Sequence, residues 1–191
     1  MPKRYLSYND SSFSLCCQGY DAPIHRKQVP MTEQMRAQRG LYFEEFSEGM
    51  ELETRGRTIS ESDIVSFAGL SGDFNPMHVD ETYAKTTQFG RRVAHGLLGL
   101  AVASGLAYQM GFLDGTVIAF TGLEWKFRAP VFIGDTVRVQ VKVIKLREMK
   151  QAGGGFVTFD VRLVNQDGAV TQKGEWTVLV ASRPETASAA S

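Results

Sequence analysis

Asp73 and His78 stand five positions apart in the run Gly72-Asp73-Phe74-Asn75-Pro76-Met77-His78. The pair is a carboxylate and an imidazole separated by an Asn-Pro step. Proline disfavours helical backbone in the residue before it, so the chain bends there and the two side chains can converge. Two proton-handling groups at such a spacing suit the gripping of one water. His95-Gly96 follows, at the head of a stretch from Gly96 to Met110 that carries no charge. Together these signals predict an active site beside a buried helix.

The flanking pattern says what must position them. Leu52 to Ile59 is predicted as a short strand, and Ser60-Glu61-Ser62-Asp63 then has the form of a helix N-cap with an acidic residue three positions on. Ile64, Val65, Phe67 and Ala68 supply the apolar face of that helix, with Gly69 and Gly72 as its end. A second, short helix is predicted over Asp80–Lys85, begun by acidic residues in its first turn. The 15 uncharged residues from Gly96 to Met110 are too few to cross a bilayer comfortably and predict a buried core helix. Downstream, Val137, Val139, Val141 and Val143 alternate with Arg138, Gln140 and Lys142, which is the period of a half-solvated strand. Thr116–Phe120, Leu123–Phe127, Phe156–Val164 and Val170–Val180 are further strands, and Asn165-Gln166-Asp167-Gly168 is a hairpin turn. Helices first and antiparallel strands afterwards describe an α+β fold in which one sheet curls around one apolar helix.

Length and composition narrow the function classes. The chain of 191 residues fits one domain, and 21 acidic against 21 basic residues give no electrostatic reason for a nucleic-acid or membrane-surface partner. Small-molecule chemistry follows. Cys16 and Cys17 are adjacent and match neither a disulfide framework nor metal-ligand spacing, which points to a reducing, cytoplasmic compartment. Residues 1–40 are polar and irregular, without a signal-peptide core, and are expected to be a flexible arm, with Met31 and Met35 as alternative starts. The folded domain is expected over 41–181, and residues 182–191 as a frayed tail. Three histidines and two cysteines form no evident ligand cluster, and no Gly-rich nucleotide fingerprint opens a βαβ unit, so neither metal nor cofactor is expected.

The run from Ser66 through Gly72-Asp73-Phe74-Asn75-Pro76-Met77-His78-Val79-Asp80, with Phe89 and Ala94-His95-Gly96-Leu97-Leu98, resembles the hydratase motif of MaoC-like, R-specific enoyl-CoA hydratases. The later Phe127-Arg128-Ala129-Pro130-Val131 and Gly134-Asp135 also resemble that family. The resemblance covers roughly 41–181. It implies the hot-dog fold, a homodimer or a larger homo-oligomer, and an acyl-CoA substrate bound near the subunit interface. It also implies reversible addition of water to a trans-2-enoyl thioester, giving the R-3-hydroxyacyl product. Coenzyme A is then part of the substrate.

By the same resemblance Asp73 and His78 are the catalytic dyad, and either can take the first proton. Asn75 shapes the turn and can orient the dyad. The Gly96 amide donates to the thioester oxygen, a role that suits a free N–H at a helix start. Ser104 hydrogen-bonds the carboxylate, or else is a small core residue bonding back to its own helix. Among residues on the substrate side, His95 is expected chiefly to hydrogen-bond at the helix start. Arg91 and Arg92 either reach the coenzyme A phosphates or lie in a solvated loop. The family often has proline where Arg92 stands. Lys126 and Arg128 can face the nucleotide or an exposed edge, and Leu98, Val102 and Met110 are candidates for setting pocket depth. A thioesterase on the same fold and a non-catalytic acyl-binding module are the alternatives.

Overall fold

The computed structural model describes residues 40–184; the expected arm, Gly40 apart, and the tail beyond Pro184 lie outside the described residues. The order of elements is β1 (Glu51–Glu53), β2 (Arg57–Thr58), α1 (Glu61–Ser71), α2 (Pro76–Val79), α3 (Glu81–Ala84), α4 (Gly96–Gln109), β3 (Val117–Phe127), β4 (Thr136–Met149), β5 (Gly154–Val164) and β6 (Val170–Ala181). The strands pair antiparallel in the order β1-β4-β5-β6-β3, and β2 pairs with the start of β4.

The curl of this sheet follows from its side-chain alternation. Val137, Val139, Val141 and Val143 on β4, Val157, Phe159, Val161 and Leu163 on β5, and Trp176, Val178 and Val180 on β6 are all buried on one face. That face forms one core with Leu98, Val102, Ala103, Leu106 and Ala107 of α4. Each such Val or Leu contributes about 1.5–3 kcal/mol by leaving water, and the sheet maximises the sum by wrapping the helix. This is the hot-dog arrangement expected above.

Several elements differ in extent from their prediction. Leu52–Ile59 is not one strand: β1 and β2 are separated by three residues outside either strand, while Thr54 uses its N–H and its hydroxyl on Val139 of β4. The two strands expected at 116–120 and 123–127 are a single β3, with register shifts between Val117 and Ala119 and between Phe120 and Gly122. The irregular spacing of its apolar residues reflects those bulges. The helix α1 runs through Gly69 and stops at Gly72, whose left-handed φ of 76° needs glycine and whose N–H bonds to the Ala68 carbonyl at 2.8 Å. Its N-terminus is as predicted: the Ser60 N–H donates to Asp63 at 2.8 Å and the Asp63 N–H to the Ser60 hydroxyl at 3.2 Å. The β5–β6 hairpin also forms where expected, with the Asn165 side chain accepting from the Ala169 N–H at 2.9 Å.

β3 is an open edge. Val117, Ile118, Phe120, Leu123 and Phe127 are exposed along an 11-residue strand that pairs only with β6 among the described residues. A long apolar edge with unpaired backbone groups is a surface proteins normally cover.

Candidate active site

Asp73 follows directly on the Gly72 cap of α1, and its N–H donates to the Ser71 hydroxyl at 3.2 Å. The Asn75 N–H in turn donates to the Asp73 carboxylate at 3.2 Å. Asn75 therefore acts through its backbone; its side chain is occupied in capping α2, accepting from the Met77 N–H at 3.3 Å. Pro76 does not merely interrupt a helix, as expected, but opens this one at N1, the position where its missing N–H has no cost. One turn later α2 delivers His78 into a buried position.

His78 Nδ1 lies 2.8 Å from the Val93 carbonyl. A carbonyl can only accept, so Nδ1 carries the proton and Nε2 presents a bare lone pair. Burial is the main cause holding His78 below the usual histidine value; the Val93 carbonyl and Asp73 act in the opposite direction, and His95 adds to the lowering. The imidazole is thus kept neutral at pH 7 with a base on its free side.

His95 is buried as the residue before α4, its ring 3.8 Å from that of His78 between centroids and inclined at 31°. Its Nε2 lies 2.8 Å from the backbone carbonyl of Asp73. By the same reasoning Nε2 is the protonated nitrogen. His95 Nδ1 is buried with no partner among the described residues. His95 therefore ties the Asp73 turn to the start of α4.

The structure brings together three side chains that the sequence did not mark as a cluster. One ligand atom each of Asp73, His78 and His95 falls within 4.8 Å of the others. Asp73 and the free Nε2 of His78 offer lone pairs to a water there, while His95 is committed through its Nε2 to the Asp73 carbonyl. His95 is brought alongside by the pairing of Val93 and Ala94 with Met77 and Val131, at 3.2 and 2.8 Å, which no local pattern announces.

Beside the dyad lies an open cavity of about 640 Å³, bordered by His78, Gly96, Phe89, Leu97, Phe127 and Val131. Its walls are mostly apolar. The Gly96 N–H, first in α4, has no acceptor among the described residues, and Gly96 is held close to the Phe127 ring. Asp73 itself is exposed in the single chain.

Other expected site residues fall elsewhere. Ser104 is on the exposed side of α4 and makes no hydrogen bond to Asp73, because the buried stripe of that helix is occupied by Leu98, Val102, Ala103, Leu106 and Ala107. Arg92 is not free for phosphate: its guanidinium lies 2.6 Å from Glu61 and 3.3 Å from Glu81, fastening α1 and α3 to the segment before α4. Arg91 is exposed, over the Phe132 ring at 3.8 Å. Leu98 and Val102 belong to the core and do not border the cavity, so pocket depth is not theirs to set. Met110 packs against that core from a half-buried position. Gln172 was missed altogether. A buried amide on β6, it offers no signal within a strand of alternating residues.

A fold of this topology with a carboxylate–imidazole pair beside the central helix defines a class, and sequence comparison agrees with it. A model of the MaoC like domain matches residues 45–164, and the chain belongs to that family. Among its relatives, an (R)-specific enoyl-CoA hydratase of Rhodospirillum rubrum is 44% identical over 142 residues, 74% of this chain and 93% of the relative. A 3-hydroxybutyryl-CoA dehydratase of Methylorubrum extorquens is 42% identical over 56% of this chain and 67% of its own length. The solved structure of an (R)-hydratase from A. caviae superposes with a TM-score of 0.62 and 33% identity, over 73% of this chain and 98% of that one.

Proposed function

We propose that this protein is a hydro-lyase that adds water reversibly to trans-2-enoyl-CoA to give the (R)-3-hydroxyacyl-CoA, without a cofactor. The observation that carries this reading is the bare Nε2 of a neutral, buried His78 close to the Asp73 carboxylate, at one side of an apolar cavity that the Gly96 N–H also borders. The dyad holds one water. Nε2 takes a proton as the water oxygen bonds to Cβ, and the electron pair of the double bond moves toward the thioester oxygen, which accepts from the Gly96 N–H. The imidazolium then returns that proton to Cα on the same face. All three atoms of the water end in the product and His78 is regenerated. Asp73 orients the water and stabilises the imidazolium.

Mixed with crotonyl-CoA, the protein should bleach the conjugated enoyl absorbance without releasing thiol, and chiral separation should give the R product. Thiol release without hydrated product would replace this reading with a thioesterase; binding without either would make the chain an acyl-binding module. Of the two loop arginines, Arg91 is the one left for coenzyme A phosphates, and Arg128 borders the same cavity. A cytoplasmic setting rests on the adjacent Cys16 and Cys17. No helix among the described residues is long and apolar enough to cross a membrane.

The same reading includes a homodimer as the smallest assembly. The support is the edge of β3, uncovered among the described residues and continuous through Phe127 with the open cavity, together with Phe74 and Leu97 at 60% and 61% exposure. A second copy would cover this apolar surface and enclose Asp73, raising the strength of its interactions by excluding water. Sedimentation should show at least twice the 21.1 kDa chain mass, and Leu123→Glu on the exposed edge should reduce that assembly. A single-chain mass for the unaltered protein would refute the dimer.

A further inference from the structure

Gln172 lies on β6 with only 3% of its surface exposed, at the wall of the cavity between β3 and α4. Its Nε2 donates to the Gly96 carbonyl at 3.1 Å, and its Oε1 accepts from Trp125 Nε1 on β3 at 2.9 Å. An indole N–H can only donate, so Trp125 fixes which end of the amide is oxygen. The other end is thereby compelled to present N–H to α4. A side chain at Gly99, one turn into the helix, would collide with this amide, so the glycine there is what allows Gln172 to reach the first turn.

The carbonyl that Gln172 holds belongs to the peptide whose N–H is that of Leu97. Both Gly96 and Leu97 border the cavity, and neither N–H has an acceptor among the described residues. A donor on the carbonyl end of a peptide strengthens the N–H at its other end. It also stops that peptide from rotating.

We propose that Gln172, oriented by Trp125, is a positioning residue that locks the first turn of α4 so that its free amides converge on the thioester oxygen of the substrate. This rests on the hydratase reading and adds the source of its carbonyl polarisation. The relay runs across three elements, from β3 through β6 to α4, and links the carbonyl-binding end of the site to the sheet.

The test uses hexadienoyl-CoA, whose absorption moves to longer wavelength when its carbonyl is polarised, alongside crotonyl-CoA turnover. Gln172→Met keeps the length of the side chain and removes both polar ends. It is expected to lose most of the red shift of the bound probe and to lower kcat about 10- to 100-fold, with KM little changed. Trp125→Phe, which leaves Gln172 in place but unorients its amide, should show the same two effects in smaller measure, and decides the matter if Gln172→Met does not fold. A full red shift and full kcat in the folded variants, with only a lowered melting temperature, would overturn the proposal and reduce Gln172 to a packing residue. An unaltered protein that shifts the probe but never hydrates crotonyl-CoA would overturn the reaction and leave the relay standing; one that binds the probe with no shift would overturn both.

Discussion

Asp73→Asn and His78→Ala are each expected to lower kcat for crotonyl-CoA hydration by about 10²–10⁴, the range over which a positioned proton-transfer group acts. Neither change should unfold the protein. Asp73 is exposed and its turn is held by backbone bonds through Ser71 and Asn75, which Asn can retain. His78→Ala removes one bond to Val93, while Val93 stays paired to Met77. The pH profile separates the two roles. Hydration needs His78 neutral, and burial holds its titration below the ordinary 6.5, so the acid limb of kcat/KM should have its midpoint below pH 6.5. Because Asp73 raises the His78 value, Asp73→Asn should move the acid limb of the residual activity to still lower pH. The same depression makes the folded state resist a proton that the unfolded chain accepts, so stability should decline as pH falls through 6.5 and level off below the folded value. Steady-state kinetics from pH 4 to 8 check the first two, and denaturant unfolding over the same range checks the third. Two fully active variants would remove the dyad from the mechanism.

The second large effect is expected from a single methyl group. In Gly96→Ala the new Cβ would lie 2.7 Å from Cε1 and 2.9 Å from Cδ1 of Phe127, closer than carbon atoms approach. Either the ring swings or the helix start recedes, and both border the cavity. A displacement of about 1 Å at a reacting centre costs roughly a hundredfold, and that is the loss expected in kcat/KM. Stability should change little, since alanine is the better helix former. Adding Phe127→Leu removes the obstructing ring atoms and should restore most of the lost activity. Wild-type kinetics for Gly96→Ala alone would mean that the thioester oxygen does not sit against the start of α4.

The N-terminal half of the site was legible because its devices are local. Ser60 and Asp63 announce a helix start, Gly72 its end, and Pro76 a bend, since each acts on backbone within four residues. The valine alternation on β4 and the charge-free Gly96–Gln109 helix likewise declare a half-buried strand and a buried helix whatever their partners. The surroundings of Ser104 and Arg92 were not legible, for the opposite reason. Which stripe of α4 meets the sheet, and whether a loop arginine finds carboxylates first, depend on elements distant in the chain: Glu61 and Arg92 are 31 positions apart.

Residue types and spacing alone therefore settled that a carboxylate and an imidazole flank a turn ahead of an apolar helix, and that antiparallel strands follow. Only tertiary structure decided the protonation of His78, through the Val93 carbonyl 15 residues away, the stacking of His95 upon it, and the clasp of Gln172 on Gly96 across 76 positions. Hydrogen bonds and desolvation act over a few ångströms of space irrespective of separation along the chain, so the chemistry of each group is set by neighbours that folding alone supplies.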